Sequence, residues 1–456
     1  MSVHHSPPRL DDLARHLRGR LIMSGDSAWD TVRRPWNLRV DQRPAAIVEP
    51  AGADDMAATV AFAGLRGLRV TAQCTGHGAG ADLADTILLR TSGLRETILD
   101  PGRGQARVGA GVRCADLLTA GSEHGLSISI GTAASAGVAG FAMFGGVGVL
   151  GRALGFVAHQ IVAANAVTAD GSRIRVTDAD HPDLLWALRG GGGGFAIITH
   201  LELRLARVPA LFGGQLVWSA AAAPDVFHTW RSWTAGLPPE MTSSCALVQL
   251  PPLPEVPEPL RGRRVAAVTA CFTGPPDEGA ALLKLLTRTC APLFDTCRSL
   301  QPADLATLAG APSTLMPNRI HGELLNDLPD AALSEFFTHA GPESDPPVFA
   351  TEIRHLGGAY AAKPPDGAGA IGQTSSQYFI ELIGLAATGE ADTAIRSYQQ
   401  RVTAALAPCT TSMILPSFAE PDTDAGRVFP PEVRRRLARV KRRYDPGGVL
   451  RTSFAF

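Results

Sequence analysis

The stretch VTAQCTGHGAGADLAD, Val70–Asp85, sets a lone imidazole, His77, in a loop of small residues directly after a short apolar strand. Residues that small let a backbone approach a flat ring or a pyrophosphate closely and turn its N–H groups toward anionic oxygens. A bulky side chain kept among them points to a role of its own, and the loop is read as room for a cofactor that His77 holds. Upstream, PAAIVEP (44–50) reads as a strand. DDMAATVAFAGLRG (54–67) reads as a helix opened by Asp54 as cap and closed by Gly67, and LRVTAQC (68–74) as a second strand. The loop therefore lies at the C-terminal end of a strand in an α/β unit, where such sheets present ligands.

A second block, about 105–204, holds QARVGAG, the helix CADLLTAGSEHG, a glycine-rich stretch, the strand QIVAANAVTADG, the helix PDLLWALRG and the strand FAIITHLELRL. The texture then changes. Strands GQLVWS, RRVAAVTACF, NRIHGELL, VFATEIRHLGG and QYFIELIGLA alternate with helices near 224–236, 277–290, 331–339 and 391–406, which predicts a second domain, a sheet backed by helices. LPPLPEVPEPLRG (250–262) is a long loop, and no repeat of fixed period is present.

Composition narrows the function classes. With 42 Lys+Arg against 43 Asp+Glu, the chain is close to neutral, which argues against nucleic acid as the main partner. The most basic run, EVRRRLARVKRRYDP (432–446), spaces Val433, Leu437 and Val440 as one packed helical stripe under a solvated cationic face. Seven cysteines without CxxC pairing read as reduced thiols in a cytoplasmic protein, and no metal-ligand spacing occurs. No run reaches the roughly 18 apolar residues of a membrane span, and His4 and His5 read as a disordered tail rather than metal ligands.

GVGVLG (146–151) matches G-x-G-x-x-G, with Asp170 following Gly151 by 19 residues. That fingerprint needs a buried strand just before its first glycine, and the run here, GTAASAGVAGFAMFGG (131–146), is broken by glycine throughout. A nicotinamide dehydrogenase is therefore the weakest of the readings considered. TGHGAGA (75–81) and RGGGGGFA (189–196) share the small-residue character of that long loop. Any one of the three could be a tight turn; together they suggest one extended cofactor cradled from several sides.

These segments, with DLLWALRGGGGG (183–194) and a closing VKRRYDPGGVLR (440–451), resemble the berberine bridge enzyme-like FAD-linked oxidases, from about residue 20 to the end. The resemblance implies an α+β fold: a two-subdomain FAD-binding domain of the vanillyl-alcohol oxidase (PCMH) type over 1–208, a substrate domain with an antiparallel sheet backed by helices over 209–414, and a segment, 415–456, returning to the FAD domain. By position, His77 matches the residue bonded to the flavin 8α-methyl group, chemistry that suits an imidazole neutral near pH 7. Relatives add a second link through cysteine in GTC; here GTA puts Ala133 at that place, so a single link to FAD is expected and Cys74 is taken as a packed residue. Further contacts fall on Thr75, Gly76, Gly78 and Ala79, on Thr132, Gly137, Val138 and Gly140, and on Gly145, Gly148 and Ile197.

The chain departs from that pattern at LPSF (415–418), where the family carries Tyr-x-Asn-Phe, at Ser453 for Asn, at His159 for Asp and at Gln73 for Arg. The general base is therefore sought on substrate-domain strands: His321 beside Glu323, Glu352 and Arg354 on one face with His355 on the other, and Tyr378 with Glu381. Each also reads as a satisfied polar residue on a sheet surface. His321, Glu352, Tyr378 and Glu381 are the catalytic candidates. The implied activity is oxidation of a medium-sized, largely apolar organic molecule, in secondary metabolism by family analogy, with dioxygen as acceptor and without nucleic-acid or membrane partners. A redox-neutral cyclisation or rearrangement and a small-molecule sequestering protein are the alternatives, and the oligomeric state is left open.

Overall fold

The computed structural model describes residues 10–455 apart from 209, 289, 311–313, 365–367 and 421–422, so His4 and His5 lie outside the described residues. The first sheet is built from β1 (Arg20–Ile22), β2 (Ala46–Glu49), α1 (Ala53–Arg66), β3 (Arg69–Gln73) and β4 (Thr86–Arg90), with strand order β1-β2-β4-β3. β2 and β3 run parallel to β4, which is why TILLR is apolar without alternation: both faces of a parallel sheet are covered. α1 lays Met56, Val60 and Ala63 on Val70, Ile87 and Leu89. It ends where Gly67 turns left-handed at φ 67°. Its cap differs from expectation, since Gly52 takes the N-cap position and Asp54 instead pairs with Arg173. Asp55, buried in the first turn, accepts from the amides of Arg18, Gly19 and Ala51 at 2.9, 2.8 and 2.7 Å, a favourable place for a carboxylate at a helix N-terminus.

The second sheet is antiparallel, order β5-β6-β9-β7-β8, from β5 (Thr97–Asp100), β6 (Gln105–Gly109), α2 (Cys114–Ser122), β7 (Ile161–Val167), β8 (Arg173–Val176), α3 (Pro182–Leu188) and β9 (Ile197–Arg204). Residues 131–151 run between α2 and β7 as irregular chain with short helical turns. No strand leads into Gly146, and the Gly148 amide is wedged against the 129–130 backbone, where an added Cβ would lie 2.4 Å from the Ile130 carbonyl oxygen. The dinucleotide fingerprint has no structural counterpart there.

The third sheet draws its strands from 211–385. It comprises β10 (Leu211–Ser219), α4 (Ala223–Thr234), β11 (Met241–Gln249), β12 (Arg264–Phe272), β13 (Asn318–Leu325), α5 (Asp330–Ala340), β14 (Ala350–His355), β15 (Tyr378–Leu385) and α6 (Gly389–Ala405). Its order is β10-β12-β11-β14-β15-β13, antiparallel, with two short strands from 294–300 at the β10 edge. The helices cover one face over Trp218, Phe227, Trp230 and Phe336. The central strand β11 is absent from the sequence-based expectation because MTSSCALVQ lacks an apolar stripe on one side. Met241, Cys245 and Leu247 enter the helix-side core, while Thr242 and Ser244 reach a cavity on the other. The helix expected over 277–290 ends at Leu283. Finally α7 (Pro431–Tyr444) returns along α3, burying Leu437 and Val440 and laying Arg436 over Trp186 at 4.0 Å.

One side chain pins the third sheet to the glycine-rich chain. Arg152 is 5 % exposed and donates from Nε to the Met241 carbonyl at 2.8 Å, from Nη1 to the Leu356 carbonyl and to His355 Nε2 at 3.0 Å, and from Nη2 to the Leu237 and Pro238 carbonyls at 3.3 and 3.4 Å. A guanidinium only donates, so His355 Nε2 accepts and its proton sits on Nδ1. Arg152→Met strands these acceptors in the interior and is expected to lower unfolding stability by about 3 kcal/mol in urea titration. Burial, with the Arg152 charge adding, pushes the His355 pKa down from 6.5 to about 3. The unfolded chain then binds the proton first on acidification, so stability is complete above about pH 6.5 and is lost as pH falls toward 3. His355→Gln keeps an acceptor for Arg152 without titrating, and should flatten that slope by up to about 1.4 kcal/mol per pH unit in melts across the range.

Candidate flavin site

The His77 loop starts where β3 ends. Gly76 has φ 88°, and a Cβ there would lie 2.6 Å from Pro35 Cβ, so both backbone and packing require glycine. Residues 35–37 are strapped onto this loop: the Trp36 amide donates to the Thr75 carbonyl at 2.8 Å and the Asn37 amide to that of Gly76 at 3.4 Å. The Trp36 indole stacks on the His77 ring, with centroids 4.0 Å apart and planes 19° apart, and His77 Nε2 lies 3.0 Å from Ser135 Oγ. Burial, with the Arg113 charge adding, pushes the His77 pKa down to about 4, which leaves the imidazole neutral at pH 7. Nδ1 has no partner among the described residues.

Ser135 belongs to the second loop, which closes on the first. Gly137 packs so tightly on Cys74 that a Cβ would meet its Cβ at 2.7 Å. The Cys74 thiol is packed at 3.4 Å from the Gly111 carbonyl oxygen, with its pKa raised by burial. Thr75, Gly76, Gly78 and Ala79 thus share one wall with Thr132, Gly137 and Gly140. Among the described residues the amides of 75–79 and 131–135 donate to no protein acceptor, and a Cβ on Gly78, Gly80 or Gly140 would meet nothing within 4 Å. A neutral, half-buried imidazole, two runs of unspent N–H groups and open space above the glycines fit the chemistry of FAD, a flat ring joined to an anionic pyrophosphate. Val138 and Ile197 turn their side chains into cores, so only their backbones face that space.

The third loop meets the sheet. Tyr360 hydroxyl accepts from the Gly148 amide at 3.0 Å, and Ser417 of LPSF donates to the Phe144 carbonyl at 2.6 Å and accepts from the Gly146 amide at 3.3 Å. Gly145 packs under Ile371, His159 Nε2 donates to the Ile371 carbonyl at 2.9 Å, and Gln73 pairs with Gln42. Of the positions that depart from the family pattern, Ser417, His159 and Gln73 thus have hydrogen-bond partners of their own. Between this loop and the sheet lies a cavity with Thr132 and Gly148 on one wall and Thr242, Ser244, Glu352 and Arg354 on the other.

The four acid–base candidates separate. Glu352 and Glu381 sit directly opposite on β14 and β15, a like-charge pair that is unfavourable unless bridged. Arg354 bridges it, contacting Glu352 Oε2 at 2.9 Å and Glu381 Oε2, with its guanidinium 5.6 Å from the Phe418 ring centre. Burial raises the Glu381 pKa, opposed by Arg354 and reinforced by the Glu352 charge. His321 and Tyr378 occupy the opposite face of the sheet. His321 Nε2 pairs with Glu323 Oε1 at 3.0 Å, whose other oxygen takes Arg427 at 2.7 Å, and Tyr378 hydroxyl bonds Thr234 at 2.8 Å in the helix-side core. Trp36, Ser135, Arg152 and Tyr360 are absent from the sequence-based candidates. Trp36 is an aromatic in a polar stretch and so left a faint signal; Ser135 left none.

Residues 44–177 match the FAD binding domain family. (R)-6-hydroxynicotine oxidase of Paenarthrobacter nicotinovorans is 30% identical over 210 residues, so this chain spans about half of that relative (46%) and 45% of itself is matched. The uncharacterized FAD-linked oxidoreductase YgaK of Bacillus subtilis is 24% identical over 455 residues, 95% of this chain and 96% of that one. Among solved structures, the BBE-like 1 protein of Physcomitrella patens superposes with a TM-score of 0.84 at 20% identity, covering 98% of both chains. Residues 44–177 thus carry an FAD binding domain, and the whole chain shares the fold of the BBE-like 1 protein and is similar in sequence to FAD-linked oxidoreductases.

Gly76→Ala must accept a left-handed alanine against Pro35, a strain of about 1–2 kcal/mol before any clash. We expect a lower flavin-to-protein absorbance ratio and an earlier urea midpoint, whereas Gly80→Ala, with nothing within 4 Å, leaves the midpoint unchanged.

Proposed function

We propose that this protein is an oxidase in which a C–H bond next to a substrate oxygen or nitrogen is oxidised in the cavity and dioxygen is reduced to hydrogen peroxide. One observation carries the reading: the glycine-rich loop and a half-buried carboxylate face each other across a cavity, Thr132 and Gly148 opposite Glu352. The names of the relatives, a hydroxynicotine oxidase and an FAD-linked oxidoreductase, support it. FAD, when bound, supplies the two-electron acceptor that no side chain provides. His77 would hold it by one covalent link at the 8α-methyl group, because Ala133 offers no thiol for a second. The free amides of 75–79 and 131–135 would receive its phosphate and ring oxygens.

The chain's own part in the chemistry is to orient the substrate, keep water out and take a proton. Of the four candidates we assign the base to Glu352. Arg354 holds its Oε2, while Oε1 has no partner among the described residues and is placed to accept the proton of a substrate O–H or N–H. Arg354 and Glu381 act behind it as positioning residues. The hydroxyls of Thr242, Ser244 and Thr269 would orient polar substituents, and Val147, Val149 and Leu356 give the cavity its apolar part. A place in secondary metabolism follows from the family likeness alone. Seven unpaired thiols support a reducing, cytoplasmic setting, and no helix among the described residues is long and apolar enough to cross a membrane.

The test is a panel of secondary alcohols, amines and N-heterocycles scored for flavin bleaching without oxygen and peroxide release with it. Glu352→Gln should slow bleaching by about 10²–10⁴-fold with flavin content unchanged. Equal rates would remove Glu352 as base, and turnover without bleaching or peroxide would overturn the oxidase reading.

A further inference from the structure

We infer that Trp36 and Ser135 form a holder that presets the His77 imidazole for bond formation at Nδ1, an inference that rests on the covalent link proposed above. A histidine ring turns about a broad, roughly two-fold χ2 well, so in a loop of glycine and alanine its plane is set only by what touches it. Two contacts do so. The indole face at 4.0 Å and 19° fixes the plane, and Ser135 Oγ at 3.0 Å from Nε2 fixes which edge of the ring faces which way. Both partners are anchored by backbone: Trp36 by its amide on the Thr75 carbonyl, Ser135 by the flanking Ala134 and Ala136 carbonyls, which accept from Ala115 and Cys114 at 2.9 Å. The Trp36 indole N–H is buried without a partner among the described residues. A buried donor left unsatisfied is costly, so the residue's place is explained by its ring face and not by a hydrogen bond.

With Nε2–H donating to Ser135 Oγ, the lone pair of the neutral ring lies on Nδ1. As the Nδ1–C bond forms, positive charge spreads to Nε2–H and the bond to Ser135 strengthens, so the serine acts on the barrier more than on binding. In balance, one C–H of the flavin 8α-methyl group and the imidazole N–H are broken and one C–N bond is made. The two protons and two electrons released pass to dioxygen, giving hydrogen peroxide.

The full-length chain, produced under riboflavin limitation and then given saturating FAD, is followed by intact mass after acid quenching. Ser135→Ala and Trp36→Leu should form the adduct about five- to tenfold more slowly than the natural chain, the effect of one modest interaction on a barrier. Ser135→Thr and Trp36→Phe restore the oxygen and the ring face and should stay within about twofold. Reversible FAD binding, read by fluorescence quenching before the adduct appears, should not follow this order, which a merely structural role would require. His77→Ala should form no adduct. If Ser135→Ala and Trp36→Leu match the natural rate, the holder is overturned while the link stands; if the natural chain forms no adduct, both fall. Should Trp36→Leu fail to melt cooperatively, Ser135→Ala against Ser135→Thr decides alone.

Discussion

The buried guanidinium of Arg152 is the constraint on which this architecture turns. It leaves the glycine-rich chain, enters the third sheet and is met by carbonyls from 237–241 and 356 and by a histidine nitrogen. Burying such a charge is unfavourable unless its donors are taken up in good geometry, so the acceptors that satisfy it also dictate how the sheet sits against the loop. The Tyr360 hydroxyl on the Gly148 amide sets the same contact one turn away. Between these two anchors lies the cavity, and its walls are fixed relative to one another because the anchors are.

Burial disfavours the charged form at both His77 and Glu381. At His77 it removes charge, leaving a nucleophilic ring where an imidazolium would be inert. At Glu381 burial raises the carboxyl pKa, and the neighbouring Arg354 charge opposes it.

The FAD half of the fold was legible at the level of segments. Short apolar runs, an amphipathic helix closed by Gly67 and glycine-rich loops have local causes that survive in the finished structure. The central strand β11 was missed because Ser243 interrupts the apolar side formed by Met241, Cys245 and Leu247, where its hydroxyl accepts from the Trp230 indole N–H. The polar wall of the cavity was partly legible. Alternation correctly grouped Glu352 with Arg354, but period two says nothing about which face of a sheet meets the cofactor, and His321 and Tyr378 lie on the helix-covered side.

The amino-acid order by itself determined the small-residue loops, the single imidazole among them, the absence of a thiol at Ala133 and the alternating strands, because each depends on steric demands within a few residues. Tertiary structure alone decided that Trp36 and Ser135 close on His77, that Arg354 bridges Glu352 and Glu381, and that Arg152 locks sheet to loop. Apart from Arg354 and Glu352, which are close in sequence, these contacts join residues from 27 to 204 positions apart, and only the packing of whole sheets can bring such separations to hydrogen-bond range.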